Sequence, residues 1–210
     1  MRRNSKTMLL FTAAITGAAG TLIFLNAPVA AQSEPGGATY RATLGPISGG
    51  SAHGEATLTQ MGQSIRVHIT ATGLEPGGAH ISHIHGLSDG ARAVDSRCPT
   101  SAQDSDGDGF VELAEGAVTY GPILVDFMNI DPDQDGTIDF TTTVPLIAAA
   151  TPLNKRHIVI HGMSVGAVGA GTPGEVNGQA GYKTVLPVLC GEITNGANNN
   201  AMQFRKSGTK

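Results

Sequence analysis

Two clusters hold five of the seven histidines of this chain: His80-Ile-Ser-His83-Ile-His85 and His157-Ile-Val-Ile-His161. Each lies in an apolar, strand-like run. Side chains alternate faces along a strand, so His83 and His85 point the same way and can reach one metal ion. His161 can supply a third imidazole from a second strand. Three neutral imidazoles suit copper or zinc. His157 shares the His161 face but lies four residues away, about 13 Å along a strand, and reads as a hydrogen-bonding residue. His53 and His68 belong to no cluster and read as surface residues.

A second ligand set is acidic. Asp104-Ser-Asp106-Gly-Asp108-Gly-Phe110-Val-Glu112-Leu-Ala-Glu115 satisfies the twelve-position calcium-loop pattern. Carboxylates occupy positions 1, 3, 5, 9 and 12, glycine makes the turn at 6, and the Phe110 carbonyl falls at 7. Asp131-Pro-Asp133-Gln-Asp135-Gly-Thr137-Ile-Asp139 repeats the front half as a possible second calcium loop, but Thr142 replaces the closing glutamate. The bland reading of both is a solvated Asp-Gly turn. Pro99 and Gly116 leave little room for flanking helices, so these read as stand-alone loops that stiffen an insertion.

The elements that must position these residues are short strands. Twenty-nine glycines, eleven prolines and no sustained helical period point to an all-β fold, a sandwich or small barrel. Strand patterns run through 56–61, 64–70, 80–85, 140–144, 156–161 and 185–193; Ile65, Val67 and Ile69 face one way, and Arg66, His68 and Thr70 the other. Residues 86–140 read as a long, acidic, glycine-rich insertion in a domain spanning 39–194, and 162–181 as a glycine-rich loop. Residues 32–38 read as a linker and 195–210 as a disordered tail.

The first residues set the compartment. Arg2, Arg3 and Lys6 precede an apolar stretch, Met8 to Leu25, and Val29 and Ala31 offer small residues before a cleavage point at Gln32. Residues 1–31 read as a signal peptide, with an uncleaved anchor as the alternative. The expected location is secreted, periplasmic or cell-envelope, with no membrane span after cleavage. Removing three of thirteen Lys+Arg and none of seventeen Asp+Glu makes a net charge of −4 more negative still. That disfavours nucleic acid as a partner. Two cysteines in an exported chain, Cys98 and Cys190, predict one disulfide. Oligomeric state is not legible.

The motifs, in order, resemble copper/zinc superoxide dismutases. Gly73-Leu-Glu-Pro-Gly-Gly-Ala-His80-Ile-Ser-His83-Ile-His85 is similar to the family's G-L-x-x-G-x-H-G-F-H-x-H segment, with Cys98 following as the family's disulfide cysteine does. Arg156-His-Ile-Val-Ile-His161 resembles its R-x-x-V-V-H strand, and Gly178-Gln-Ala-Gly-Tyr-Lys183 with Cys190-Gly191 its closing G-N-A-G-S-R-x-x-C-G. The resemblance covers roughly residues 40–194. It implies an eight-stranded Greek-key β-barrel, copper held by His83, His85 and His161, and His80 bracing loops behind the metal.

It also implies superoxide as the substrate, dismuted to oxygen and hydrogen peroxide, with Lys183 standing where the family keeps a substrate-steering arginine and Arg156 as a second cation nearby. Four extra residues, Thr184 to Pro187, separate Lys183 from the cysteine. No histidine occurs between His85 and His157, so the family's bridging and zinc histidines are missing and no zinc is expected. The Ala-His-Ile-Ser-His-Ile-His-Gly86 segment also resembles the A-H-I-H-G core of CHRD (chordin-type) domains. That implies a non-catalytic binding or structural domain, and envelope copper storage or delivery is a third reading.

Overall fold

A computed structural model describes residues 37–196. The expected signal peptide, residues 32–36 of the linker and residues 197–210 of the tail lie outside them. The strands are β1 (Thr39–Pro46), β2 (His53–Met61), β3 (Ser64–Thr72), β4 (His80–His85), β5 (Ser88–Asp89), β6 (Arg92–Ala93), β7 (Ile123–Ile130), β8 (Ile138–Pro145), β9 (His157–Val165), β10 (Gly181–Glu192) and β11 (Thr194–Asn195); α1 spans Leu113–Tyr120. Eight of these strands run antiparallel in the order β7-β4-β9-β10-β1-β2-β3-β8, with β11 added to β1 and β5–β6 a separate ribbon. The chain crosses from one half of this sheet to the other between β3 and β4 and again between β8 and β9. The result is a nearly closed Greek-key barrel, the all-β architecture expected from the strand pattern and implied by the resemblance.

Alternation builds the core. Ile65, Val67 and Ile69 of β3 are buried, while Arg66, His68 and Thr70 are exposed. Leu58, Ile65 and Ile69 from one half meet Ile84, Phe127, Ile158 and Ile160 from the other. The β2–β3 hairpin turns through Gly62-Gln63, and Gly62 takes the left-handed conformation (φ 61°) that a two-residue turn demands. A glycine is equally required at Gly136 (φ 76°), because a side chain there would strike the Leu74 carbonyl.

Three details differ from the sequence reading. The stretch 86–140 is not one loop: it contains the barrel strand β7 and the start of β8, so the insertion proper is 86–122 plus the short turn 131–137. A helix, α1, does follow the first acidic loop. Gly116 does not break it, because the Tyr120 ring packs over the glycine where a side chain would stand. Asn195, placed at the start of the tail, pairs with Tyr40, next to the Thr194–Arg41 pair.

Outside the barrel a smaller apolar cluster, Ile47, Val111, Tyr120, Val159 and Cys190, seals residues 86–122 against β9 and β10. Two fasteners hold this cover. Cys98 and Cys190 are disulfide-bonded across 92 residues of sequence. Arg156, buried just before β9, donates from its guanidinium to the cover carbonyls of Leu87 (2.8 Å) and Val94 (3.4 Å) and to the Ala149 carbonyl (2.8 Å) of the β8–β9 connection. The native protein should therefore titrate no thiols before reduction and two after it. Replacing both cysteines by serine should lower unfolding free energy by about 2–4 kcal/mol in denaturant titrations; two reactive thiols in the unreduced, unfolded chain would contradict the pairing.

Candidate metal centre

β4 and β9 are neighbours, with His83 opposite Val159 and His85 opposite His157. Ile84, Ile158 and Ile160 point into the core, so His83, His85 and His161 stand on the outer face, beneath the cover. One nitrogen from each lies within 4.8 Å of the others. Ring centroids are 5.3 Å apart for His83–His161, 5.5 Å for His83–His85 and 5.7 Å for His85–His161. Ligand nitrogens around an ion with ~2 Å bonds stand up to about 4 Å apart, so small ring rotations bring all three onto one ion. The alternation argument for His83 and His85, and the reach of His161, hold in the fold.

Two outer nitrogens are hydrogen-bonded and the inner ones are bare. His85 Nδ1–H donates to the Gly121 carbonyl (2.9 Å), and His161 Nδ1–H to the Val185 carbonyl (2.7 Å). His83 Nε2 faces Asp126 Oδ1 at 3.7 Å. That leaves His83 Nδ1, His85 Nε2 and His161 Nε2 buried with no hydrogen-bond partner. Buried polar atoms are rarely left unpaired. Three converging bare imidazole nitrogens are the donor set a copper- or zinc-type ion takes.

His80 sits behind the group. Its Nδ1 meets the His161 carbonyl (3.0 Å) and its Nε2 the Glu75 carbonyl (3.3 Å), tying the 73–79 turn to β9. His157 is also fully buried, but its Nδ1 meets Ser96 Oγ (3.0 Å) and its ring stacks on His85 outside the three-histidine group. His68 of β3 is paired with Asp139 of β8 in the other half of the barrel.

Burial drives His161 down to about 3 and His85 to about 4, against the opposing pull of the Val185 and Gly121 carbonyls. It lowers His83 too, with Asp126 opposing, and takes His157 to about 3. All four rings are neutral at pH 7, the form that ligates metals. Arg156 is not free to steer a ligand, because its guanidinium is engaged with the carbonyls that fix the cover. Lys183 lies on β10 opposite Met163, before the irregularity that separates it from Pro187, the partner of His161.

The acidic loops behave differently from each other. Asp104, Asp106 and Asp108 of the first converge, and one Asp108 oxygen, Oδ2, is buried without a partner. Phe110 follows them, its N–H donating to Asp108 Oδ1 (2.9 Å). Glu112 and Glu115 are engaged elsewhere: buried Glu112 accepts from the Val176 N–H, and Glu115 accepts from Ser105 N–H (2.6 Å) and Glu112 N–H (3.0 Å), starting α1. Burial raises the Asp108 and Glu112 pKa values. In the second loop, Asp135 accepts from Thr137, Asp131 from Asn129, and Asp139 belongs to β8 and pairs with His68. No three of Asp131, Asp133, Asp135 and Asp139 come together, because the chain enters a strand where a calcium loop would close.

Sequence reasoning missed the groups that orient the ligands. The Gly121 and Val185 carbonyls are invisible in a sequence. Val185 lies in the extra segment before Cys190, so that insertion presents an acceptor to His161. Asp126 had a signal, being the one charged residue in the apolar run 123–130.

The folded pKa values of His85, His157 and His161 lie below the unfolded value of about 6.5. The unfolded chain therefore binds more protons as pH falls, and stability present above about pH 6.5 is lost toward pH 4 and 3. Melting temperatures of the metal-free protein should fall across that window, and His161→Gln should flatten the slope. A variant slope equal to that of the unsubstituted protein would contradict this. No protein-family model matches the chain, and no curated protein matches it, so the geometry of its own residues carries the functional argument.

Proposed function

We propose that this is an exported copper protein whose metal is held by His83, His85 and His161, and that it dismutes superoxide. The observation that carries the copper reading is the set of three buried, unpartnered nitrogens converging from two strands. Copper held by His83, His85 and His161 would supply the one-electron redox chemistry that converts two superoxide ions and two protons into oxygen and hydrogen peroxide. The chain's part is to keep three imidazoles neutral, to orient His85 and His161 through the Gly121 and Val185 carbonyls, and to exclude bulk water with Tyr120, its ring centroid 4.8 Å from that of His85. The disulfide is compatible with an extracellular location, and among the described residues no helix is long and apolar enough to cross a membrane.

One observation favours a second reading, copper holding without turnover, as in a storage, delivery or CHRD-like domain. Arg156 is engaged internally, Lys183 is the remaining candidate cation, and the charged group beside His83 is the largely exposed Asp126 carboxylate. An anionic substrate gains nothing from that neighbour. Elemental analysis with a superoxide assay separates these outcomes. One copper per chain is expected, lost in His83→Ala and His161→Ala and kept in His157→Ala. Superoxide consumption tracking copper supports the dismutase; copper without consumption supports holding.

We also propose that the first acidic loop binds one calcium ion through Asp104, Asp106 and Asp108, with the Phe110 carbonyl, Glu112 and Glu115 completing the pattern after local rearrangement. Support comes from the convergence of the three aspartates. Calorimetry should give a dissociation constant of roughly 10⁻⁴–10⁻³ M, abolished by Asp104→Ala. No heat, with no effect of a chelator on melting, would contradict it.

A further inference from the structure

Asp126 sits on the edge strand β7 directly opposite His83. Its neighbours Val125 and Phe127 are buried, and the β4–β7 register slips between Ile81 and His83. Two residues on, Met128 has φ 72°, the one left-handed non-glycine among the described residues. Met128 is 73% exposed, so core packing of its side chain does not explain that conformation. What the bulge does provide is a backbone donor: Met128 N–H donates to Asp126 Oδ1 at 2.6 Å. The same oxygen is the one 3.7 Å from His83 Nε2.

His83 is the ligand that needs such a partner. Backbone carbonyls grip His85 and His161 through Nδ1, leaving Nε2 bare. His83 has the reverse arrangement, with Nδ1 bare and no carbonyl on Nε2. We infer that Asp126, aimed by the Met128 bulge, is the positioning residue that holds His83 Nε2–H and presents Nδ1 to the metal. The inference rests on the three-histidine copper reading. At 3.7 Å the contact is electrostatic; the exposed carboxylate closes it by rotation or through one water. An anionic acceptor behind a ligating imidazole fixes its orientation and makes it a stronger donor.

The test uses the mature protein, with Cu(II) affinity measured by chelator competition, the copper reduction potential, and melting of the metal-free form. Asp126→Ala should weaken copper about 10–100-fold with little change in metal-free melting. Asp126→Asn, whose amide oxygen still accepts, should recover part of that affinity. The potential should rise in both, because the negative charge that favours Cu(II) is gone. Met128→Gly should match the unsubstituted protein, since glycine adopts φ 72° freely, whereas Met128→Val should weaken copper as Asp126→Ala does. If the unsubstituted protein binds copper and Asp126→Ala binds it equally well, or neither Asp126 variant shifts the potential, the assignment is overturned and the three-histidine site stands. A protein that takes up no copper overturns both.

Discussion

The disulfide and the Arg156 guanidinium fasten residues 86–122 across the outer face of β9 and β10, and the histidine group depends on that cover. The faces of β4 and β9 that carry His83, His85 and His161 point away from the barrel core. Uncovered, those rings would be hydrated and free to rotate. Covered, they lose water, stay neutral, and accept the orientation that the loops impose. The barrel supplies spacing, and the outer layer supplies burial and direction. A guanidinium buried against three carbonyls is also a strong constraint in itself, because removing it strands those acceptors.

Acceptors in this outer layer orient two of the three rings. Gly121 ends α1, so the helix that follows the acidic loop delivers its last turn to His85. Val185 lies in the irregular part of β10 and reaches His161. His80, beneath, joins the 73–79 turn to the His161 backbone. Each ring is thus referred to a different segment of chain, and the geometry of the group depends on several loops packing at once. Glu112, buried against the 166–180 loop, links the acidic segment to the same layer through the Val176 N–H.

Much of the barrel was legible because its signal is local. Alternation in 64–72 and the paired histidines of 80–85 fix which side faces the core, and two cysteines leave one pairing. The histidine group was legible for the same reason: residue type and period two suffice to group His83 with His85. β7 was hidden because Asp126 and Asn129 interrupt its apolar pattern at the site's edge. α1 was hidden because Gly116 is a helix-weakening residue, tolerated here only since Tyr120 fills the space above it. The second acidic loop shows the converse: its spacing matches a calcium loop, but Asp139 is committed to a strand and to His68.

The central claim is that three imidazoles from β4 and β9 close on one copper ion. X-ray absorption on the copper-loaded protein tests it most directly, since imidazole rings leave a distinctive multiple-scattering signature. The expected spectrum has three imidazole nitrogens at about 2.0 Å, unchanged in His157→Ala. A first shell of oxygen donors with one imidazole or none would contradict the site.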